Sequence, residues 1–298
     1  MITDPLKIFV TVVEYKNFSR AAEELYMSQP SVSLQIRNLE NELGTKLMNR
    51  SSKHLDLTQS GEIFYRYAKQ ILNLHDKAKQ EIDQLTNLVT GSLKVGASYT
   101  IGEYILPSVL AGFAVQFPTV DIEASIANTE EITQAVRANH LDIALVEGEV
   151  SNSDLDIRPL MEDEIILVVP NQHVLTKFPI VTAEHLLDQV WILRESGSGT
   201  RSFSDNLIKD WRIKVKKTYI FGSSQAVKQA VMAGLGIALV SCWIVRKELI
   251  AKELTAIPIE GKRLTRSFSL IKSKNHEMSK AMEVFTEQLF SHELLNLE

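Results

Sequence analysis

The sequence predicts a chain in three parts: a mainly α-helical winged helix-turn-helix, a long linker helix, and a pair of α/β lobes built on one plan. Three observations point there. Up to Val89 apolar residues recur at helical spacing, whereas after Gly91–Ser92 short β runs alternate with helical runs. Ser28 to Gly44 holds a complete set of helix start and stop signals. The part beyond residue 90 contains an internal echo. The 298 residues suit two domains at roughly 150 residues each. With 45% hydrophobic and 23% charged residues, wholesale disorder is excluded.

Leu6, Phe9, Val10 and Val13 mark an amphipathic first helix. Ser19 is expected to cap a second, carrying Ala21, Ala22 and Leu25. Tyr26–Met27 makes a tight turn. Ser28 then caps a third helix, with Pro30 in the first turn, where a missing N–H costs little, and Gly44 as its C-cap. Val32, Ile36, Leu39 and Leu43 are its buried stripe. At about 100° per residue, Pro30, Ser33, Leu34, Arg37 and Asn38 point the other way. Gln29 reaches out from the start, beside Ser28 and Ser31. Gln, Ser and Arg side chains read base edges, and Pro and Leu can meet a thymine methyl. Lys46–Arg50 and Leu55–Thr58 alternate like a small hairpin, a wing whose Arg50 and Lys53 suit phosphates. A plain protein-binding bundle is the alternative.

Residues 59–89 are expected to form the linker helix. Phe64, Tyr67, Ile71, Leu74, Ala78, Leu85 and Leu88 recur every three or four residues, broken by Glu81, and no Pro or Gly lies between Glu62 and Thr90. A helix of this length, about 45 Å, is poorly stable alone and wants another helix beside it. Either a second copy or its own domain can supply one.

In the echo, Thr129-Glu-Glu-Ile-Thr-Gln134-Ala-Val-Arg-Ala138 leads to Ile143-Ala-Leu-Val146. Ser224-Gln-Ala-Val-Lys-Gln229-Ala-Val-Met-Ala233 leads to Ile237-Ala-Leu-Val240. Each is a capped helix followed by a buried strand, unless the match is chance among Ala/Val-rich helices. Before them, Leu93–Thr100 and Trp191–Arg201 each read as a strand and polar turn. Lobe 1 is placed at about 91–168 and 267–298, and lobe 2 at about 169–266, with crossings near 165–170 and 264–268.

In open α/β lobes ligands sit beyond the carboxyl ends of strands, where helix N-termini gather. Here those ends carry Ser98, Tyr99, Thr100, Thr129, Ser196, Ser198, Thr200 and Ser224. In Ser196-Gly197-Ser198-Gly199-Thr200-Arg201 the glycines let backbone N–H groups approach an anion and Arg201 offers a charge-assisted fork. The alternative is a simple helix start with Arg201 paired to a nearby acid. Glu147, at a strand end, is read as a rim residue limiting negative charge. The implied ligand is a small anionic metabolite.

Phe18-Ser-Arg-Ala-Ala22, Ser28-Gln-Pro-Ser-Val-Ser33, Ile36-Arg-Asn-Leu-Glu40, Leu43-Gly44, Leu47, Arg50 and Leu57-Thr58-Gln-Ser-Gly61 resemble the N-terminal motif of LysR-type transcriptional regulators. The length and domain order of the remainder also fit. The resemblance implies a winged helix-turn-helix at 1–58, a dimerising linker at 59–89, and a two-lobed α/β periplasmic-binding-protein-like effector domain at 90–298. It implies DNA contacts by Gln29, Pro30, Ser33, Arg37, Arg50 and Lys53, contact with RNA polymerase, and a homodimer or homotetramer on double-stranded promoter DNA. Many members carry a polar or basic residue where Leu34 stands, so base preference there differs. The Ser196–Arg201 segment is similar to one in regulators of sulfur and carbon assimilation, which points to a sulfur oxyanion or sulfur-containing metabolite.

Other function classes find little support. Net charge is −5, with residues 1–90 balanced at 11 basic against 11 acidic, so any polyanion footprint must be local. The seven histidines never fall within four residues of one another, which removes a two-His helical metal site. Cys242 excludes a disulfide framework, and its apolar surroundings suggest core before redox sensor. No Gly-x-Ser-x-Gly elbow occurs. No cofactor is expected, and the chain is not read as an enzyme. An enzyme using the α/β cleft, or a solute sensor acting through a protein partner, are the competitors. No secretory leader opens the chain, and its longest apolar stretch, Ala233–Val245, is short of the roughly 18 residues a membrane span needs. A soluble cytoplasmic protein is expected.

Overall fold

The computed structural model describes residues 3–50, 55–85, 89–261 and 263–291. The chain divides into two compact units, Met1–Leu88 and Val89–Glu298.

The first unit contains α1 (Thr3–Tyr15), α2 (Phe18–Glu24), α3 (Gln29–Leu43), strands β1 (Met48–Arg50) and β2 (Leu55–Leu57), and α4 (Gln59–Leu85). Its core joins Phe9 and Val12 of α1, Ala21 and Ala22 of α2, and Val32, Ile36 and Leu39 of α3. A side chain of this size is worth about 1.5–3 kcal/mol when fully buried. The α2 cap is Asn17 rather than Ser19: its Oδ1 accepts from the Ser19 and Arg20 amides at 2.8 and 3.1 Å. Ser28 caps α3 through the Ser31 amide, and Gly44 closes it at φ 65°. Strands β1 and β2 pair antiparallel, giving the wing. Its tip, with Lys53, lies outside the described residues, and of Arg50 only the backbone is described.

Helix α4 splits its apolar residues between two faces. Phe64 turns inward and meets Phe9 edge-on at 5.2 Å, and Ala68 is buried beside it. Tyr67, Ile71 and Leu74 of the expected stripe stay exposed at 52%, 47% and 68%, joined by Ile63. Packing on its own domain and an open seam therefore coexist. Leu85 is described only in backbone, and Leu88 lies outside the described residues.

The second unit is two lobes with one strand plan. Its elements are β3 (Gly91–Ser98), α5 (Tyr99–Tyr104), α6 (Leu106–Gln116), β4 (Val120–Ala127), α7 (Thr129–Arg137), β5 (Ile143–Glu147), β6 (Leu155–Pro170), β7 (Val190–Arg194), α8 (Gly199–Asp210), β8 (Lys217–Phe221), α9 (Ser224–Met232), β9 (Ala238–Ser241), α10 (Cys242–Ile250), β10 (Leu254–Ile257), β11 (Thr265–Ser273) and α11 (Lys280–Phe290). Lobe 1 orders its strands β4-β3-β5-β11-β6, the first three parallel and the rest antiparallel. Lobe 2 repeats this as β8-β7-β9-β6-β10, with β9 joined to β7 by the Trp191–Ile237 bridge. Strands β5 and β9 are buried throughout, as central strands covered on both faces must be.

Strand β6 belongs to both sheets. Through Glu164 it pairs with β11, and from Ile165 it pairs with β9 and β10. The first crossing thus falls at 164–165, a few residues before the expected lobe boundary, because one continuous strand makes it. Strand β11 and helix α11 return to lobe 1, where Phe268, Phe285 and Phe113 share a core.

Candidate functional site

In the first unit, the N-terminal half of α3 presents Ser28, Gln29, Pro30, Ser31, Leu34 and Arg37 to solvent, with Ser33 half-buried. Leu34 is 54% exposed, an apolar side chain with no packing role on that face. The Gln29 amide donates to Ser33 Oγ at 2.9 Å, and Ser28 and Ser31 hydroxyls meet at 2.7 Å. Glu40, on the same helix, is removed from this surface. It is 2% exposed, and its Oε1 accepts from the Leu47 and Met48 amides at 2.9 and 3.3 Å while Lys46 donates to Oε2 at 2.9 Å. Burial raises its pKa, but these hydrogen bonds outweigh burial and hold the carboxyl below its ordinary value. Glu40 therefore ties the root of the wing to α3 and keeps its negative charge off the exposed face of that helix.

In the second unit the strand ends converge between the lobes. Ser98 and Thr100 of lobe 1, and Ser198 and Thr200 of lobe 2, are all buried. Arg266, on the returning strand β11, joins them. Its Nη1 donates to Thr200 Oγ1 at 2.9 Å and its Nη2 to Thr100 Oγ1 at 3.4 Å. Nε donates to Asp163 of β6 at 2.8 Å, and Nη2 lies 3.3 Å from Glu147 Oε2. Asp163 also accepts from Ser241 Oγ at 2.5 Å; burial pushes its carboxyl up against the pull of Arg266. Thr200 donates to Glu147 Oε1 at 3.3 Å. Among the described residues the buried hydroxyls of Ser98 and Ser198 have no hydrogen-bond partner. Neither caps its own helix. A cavity of about 1020 Å³ adjoins this cluster, lined by Thr129, Gly148, Gly197, Gly199 and Arg266 among others.

Two further contacts close the lobes on each other. Arg194, 2% exposed, stacks 4.6 Å over the Tyr99 ring, forks onto Glu195 with two 2.7 Å bonds and donates to Ser224 Oγ at 2.8 Å. Tyr104 of lobe 1 donates to Gln225 of lobe 2 at 3.0 Å.

Several expectations are corrected. Glu147 is no rim residue: at 1% exposure it is part of the buried cluster, because Gly199 packs so close that a Cβ there would stand 2.2 Å from the Glu147 carbonyl. Arg201 takes the paired alternative, bonded to Asp205 at 2.9–3.0 Å and to the Arg194 carbonyl at 2.9 Å. Ser196 is exposed, outside the buried cluster. Thr129 and Ser224 stand one residue after the true caps, Asn128 and Ser223; Thr129 instead donates to the Glu147 carbonyl at 3.1 Å. Gly197 reaches lobe 1 through its carbonyl, which accepts from the Glu130 amide at 3.1 Å. Arg266, Arg194, Asp163 and Ser241 were missed. A signal existed for the arginines: each is a cation among the apolar residues of a strand or directly beside one, Arg194 after Trp191-Ile-Leu193 and Arg266 before Ser267-Phe-Ser-Leu-Ile271. Cys242 is half-buried, and burial pushes its thiol up, which disfavours the reactive thiolate. Among the described residues no His, Cys, Asp or Glu group is arranged to hold a metal, and no helix is long and apolar enough to cross a membrane.

A helix-turn-helix unit with a wing, carried on the same chain as a two-lobed α/β unit with a polar interlobe site, defines a transcriptional regulator with an effector-binding domain. Residues 3–62 match the bacterial regulatory helix-turn-helix protein of the lysR family, and residues 86–293 match the LysR substrate binding domain. The chain belongs to the LysR family, whose members are transcription regulators and not enzymes. It is 42% identical over 292 residues to the HTH-type transcriptional regulator CysL of Bacillus subtilis (strain 168), covering 98% of each chain. Full-length OxyR from Pseudomonas aeruginosa shares the fold with a TM-score of 0.69 at 24% identity, covering 97% of this chain and 94% of that one. The CcmR regulatory domain of Synechocystis, in complex with 2-PG, gives 0.65 at 25% identity, covering 70% of this chain and 99% of that one.

Proposed function

We propose that this regulator reads double-stranded promoter DNA with the N-terminal face of α3, and that a small anionic metabolite bound between the lobes controls it. The observation that carries the second half is the Arg266 cluster. One guanidinium touches hydroxyls from both lobes and stands near the start of β11, just after the chain returns to lobe 1, so a ligand there acts on the interlobe angle. A ligand shifts that angle only by its differential affinity for the two arrangements. Unpaired buried hydroxyls at Ser98 and Ser198 supply donors for acid oxygens, and the start of α8 adds a favourable dipole end. The 2-PG complex of the similar CcmR domain supports a compact acid, and a sulfur oxyanion has the same chemistry.

Arg37, Gln29 and Ser33 are assigned to base edges, Pro30 and Leu34 to thymine methyls, and Ser28, Ser31, Arg50 and Lys53 to the sugar–phosphate backbone. Two copies join along the exposed stripe of α4, and pairs of dimers on DNA present the effector units to RNA polymerase.

The test is binding of the full chain to its own upstream DNA across a salt series, with and without small acids. Phosphate contacts predict a log–log slope of about −0.9 per neutralised phosphate. Thr100→Ala and Thr200→Ala should keep DNA binding but lose the response to acid. A normal response in both variants would place the effector elsewhere.

A further inference from the structure

We infer that Glu147 is a tethered counter-anion: in the effector-free chain its carboxylate holds the position on Arg266 that the acid group of the effector takes. The inference rests on the anionic-metabolite reading above and adds a regulatory device to that site.

Charge pairing in the cleft motivates it. Among the described residues the arginines of the cleft are already engaged: Arg194 by Glu195, Arg201 by Asp205, Arg137 of the cavity lining by Asp154, and Arg266 by both Asp163 and Glu147. An anion entering this region meets no unpaired guanidinium, so binding requires an exchange. The two carboxylates on Arg266 are not equivalent. Asp163 is the tight partner, with bonds of 2.8 Å to Arg266 and 2.5 Å to Ser241. Glu147 is the loose one. Its contacts are 3.3 Å to Arg266 and 3.3 Å to Thr200, and its Oε2 has no hydrogen bond at ion-pair geometry. Charge-assisted bonds of this kind normally close to about 2.7–2.9 Å. Among the described residues Arg266 is the cation at ion-pair distance from Glu147, and Asp163 shares that guanidinium.

The exchange is chemically matched. An acid group replacing Glu147 on Arg266 finds the Thr100 and Thr200 hydroxyls, already within reach of that guanidinium. Glu147 also reaches across the lobes to Thr200, so its release frees one interlobe bond as the ligand makes others. Without an effector, the glutamate neutralises the arginine and weakens the site for casual anions.

The test is calorimetric titration of the full chain with sodium sulfate and with sodium glycolate at constant ionic strength. Glu147→Gln should bind at least one of them ten-fold or more tightly than the unaltered chain, and adding Thr100→Ala should abolish that gain. Asp163→Asn should instead lower the melting temperature without tightening binding. Melting curves check that Glu147→Gln is folded; if it is not, Glu147→Asp, which shortens the reach to Arg266, should give the same gain. Equal or weaker affinity in a folded Glu147 variant, or no binding of either anion by it, overturns the counter-anion role. If the unaltered chain binds an anion that Thr100→Ala abolishes but Glu147→Gln does not tighten, the cleft reading stands alone. An anion bound equally well in Thr100→Ala sinks the cleft reading itself.

Discussion

Glu40 shows how one acidic side chain can serve the proposed DNA-binding face of α3 by leaving it. Its carboxylate collects two backbone amides and Lys46 at the root of the wing. Its folded pKa is depressed, so the stabilisation is present at neutral pH and is lost as pH falls through that depressed value. Glu40→Gln should cost about 1–3 kcal/mol at pH 7, the range for leaving buried donors poorly satisfied. The deficit should shrink in melts near pH 3; a deficit unchanged with pH would contradict the assignment. Arg37, by contrast, is exposed and makes no core contact. Arg37→Ala should leave the melting temperature alone and weaken binding to the preferred DNA site by about 1–3 kcal/mol, the value of one base contact, as read by fluorescence anisotropy.

At the scale of elements, α4 has two jobs with separate residues. Gly61 lets it start against the wing: a Cβ there would stand 2.0 Å from the Leu47 carbonyl oxygen, so Gly61→Ala should unfold or strongly destabilise the first unit, as circular dichroism melts would show. The outer face carries Ile63, Tyr67, Ile71 and Leu74, all about half exposed or more. Such a row is unusual on a monomer surface, and it is the face proposed above to join two copies. Replacing Ile71 and Leu74 together by Lys should dissociate the assembly in sedimentation velocity while the helix-turn-helix stays folded. A variant sedimenting like the unaltered chain would rule that face out as the seam.

At the scale of the molecule, the duplicated lobe plan matters because β6 runs through both sheets and the chain returns to lobe 1 just ahead of β11. Arg266 and Asp163 stand on those two strands beside the crossings and pair with each other, so the crossings and the proposed effector site share residues. The second unit has its own cores and its own internal contacts. Residues 89–298 alone should therefore melt cooperatively and retain whatever acid binding the full chain has, measured by thermal shift. Loss of that binding with the fold intact would mean that the first unit contributes to the site.

Local chemistry was enough for much of this. The α3 caps at Ser28 and Gly44, the wing, the α4 helix and the paired helix–strand echo all depend on residues within a few positions of one another, and the amino-acid order determined them. Ser98, Thr100, Ser198 and Thr200 were legible as strand-end hydroxyls for the same reason. Their connection was not. Arg266 lies 66 residues from Thr200 and 166 from Thr100, and Asp163 lies 103 from Arg266, so no spacing rule links them. Tertiary structure alone decided that Glu147 is buried, that Arg201 is spent on Asp205, and that a returning strand delivers a guanidinium that bonds hydroxyls of both lobes. Partner choice for a charged group depends on distance and dielectric in three dimensions, which separation along the chain does not encode.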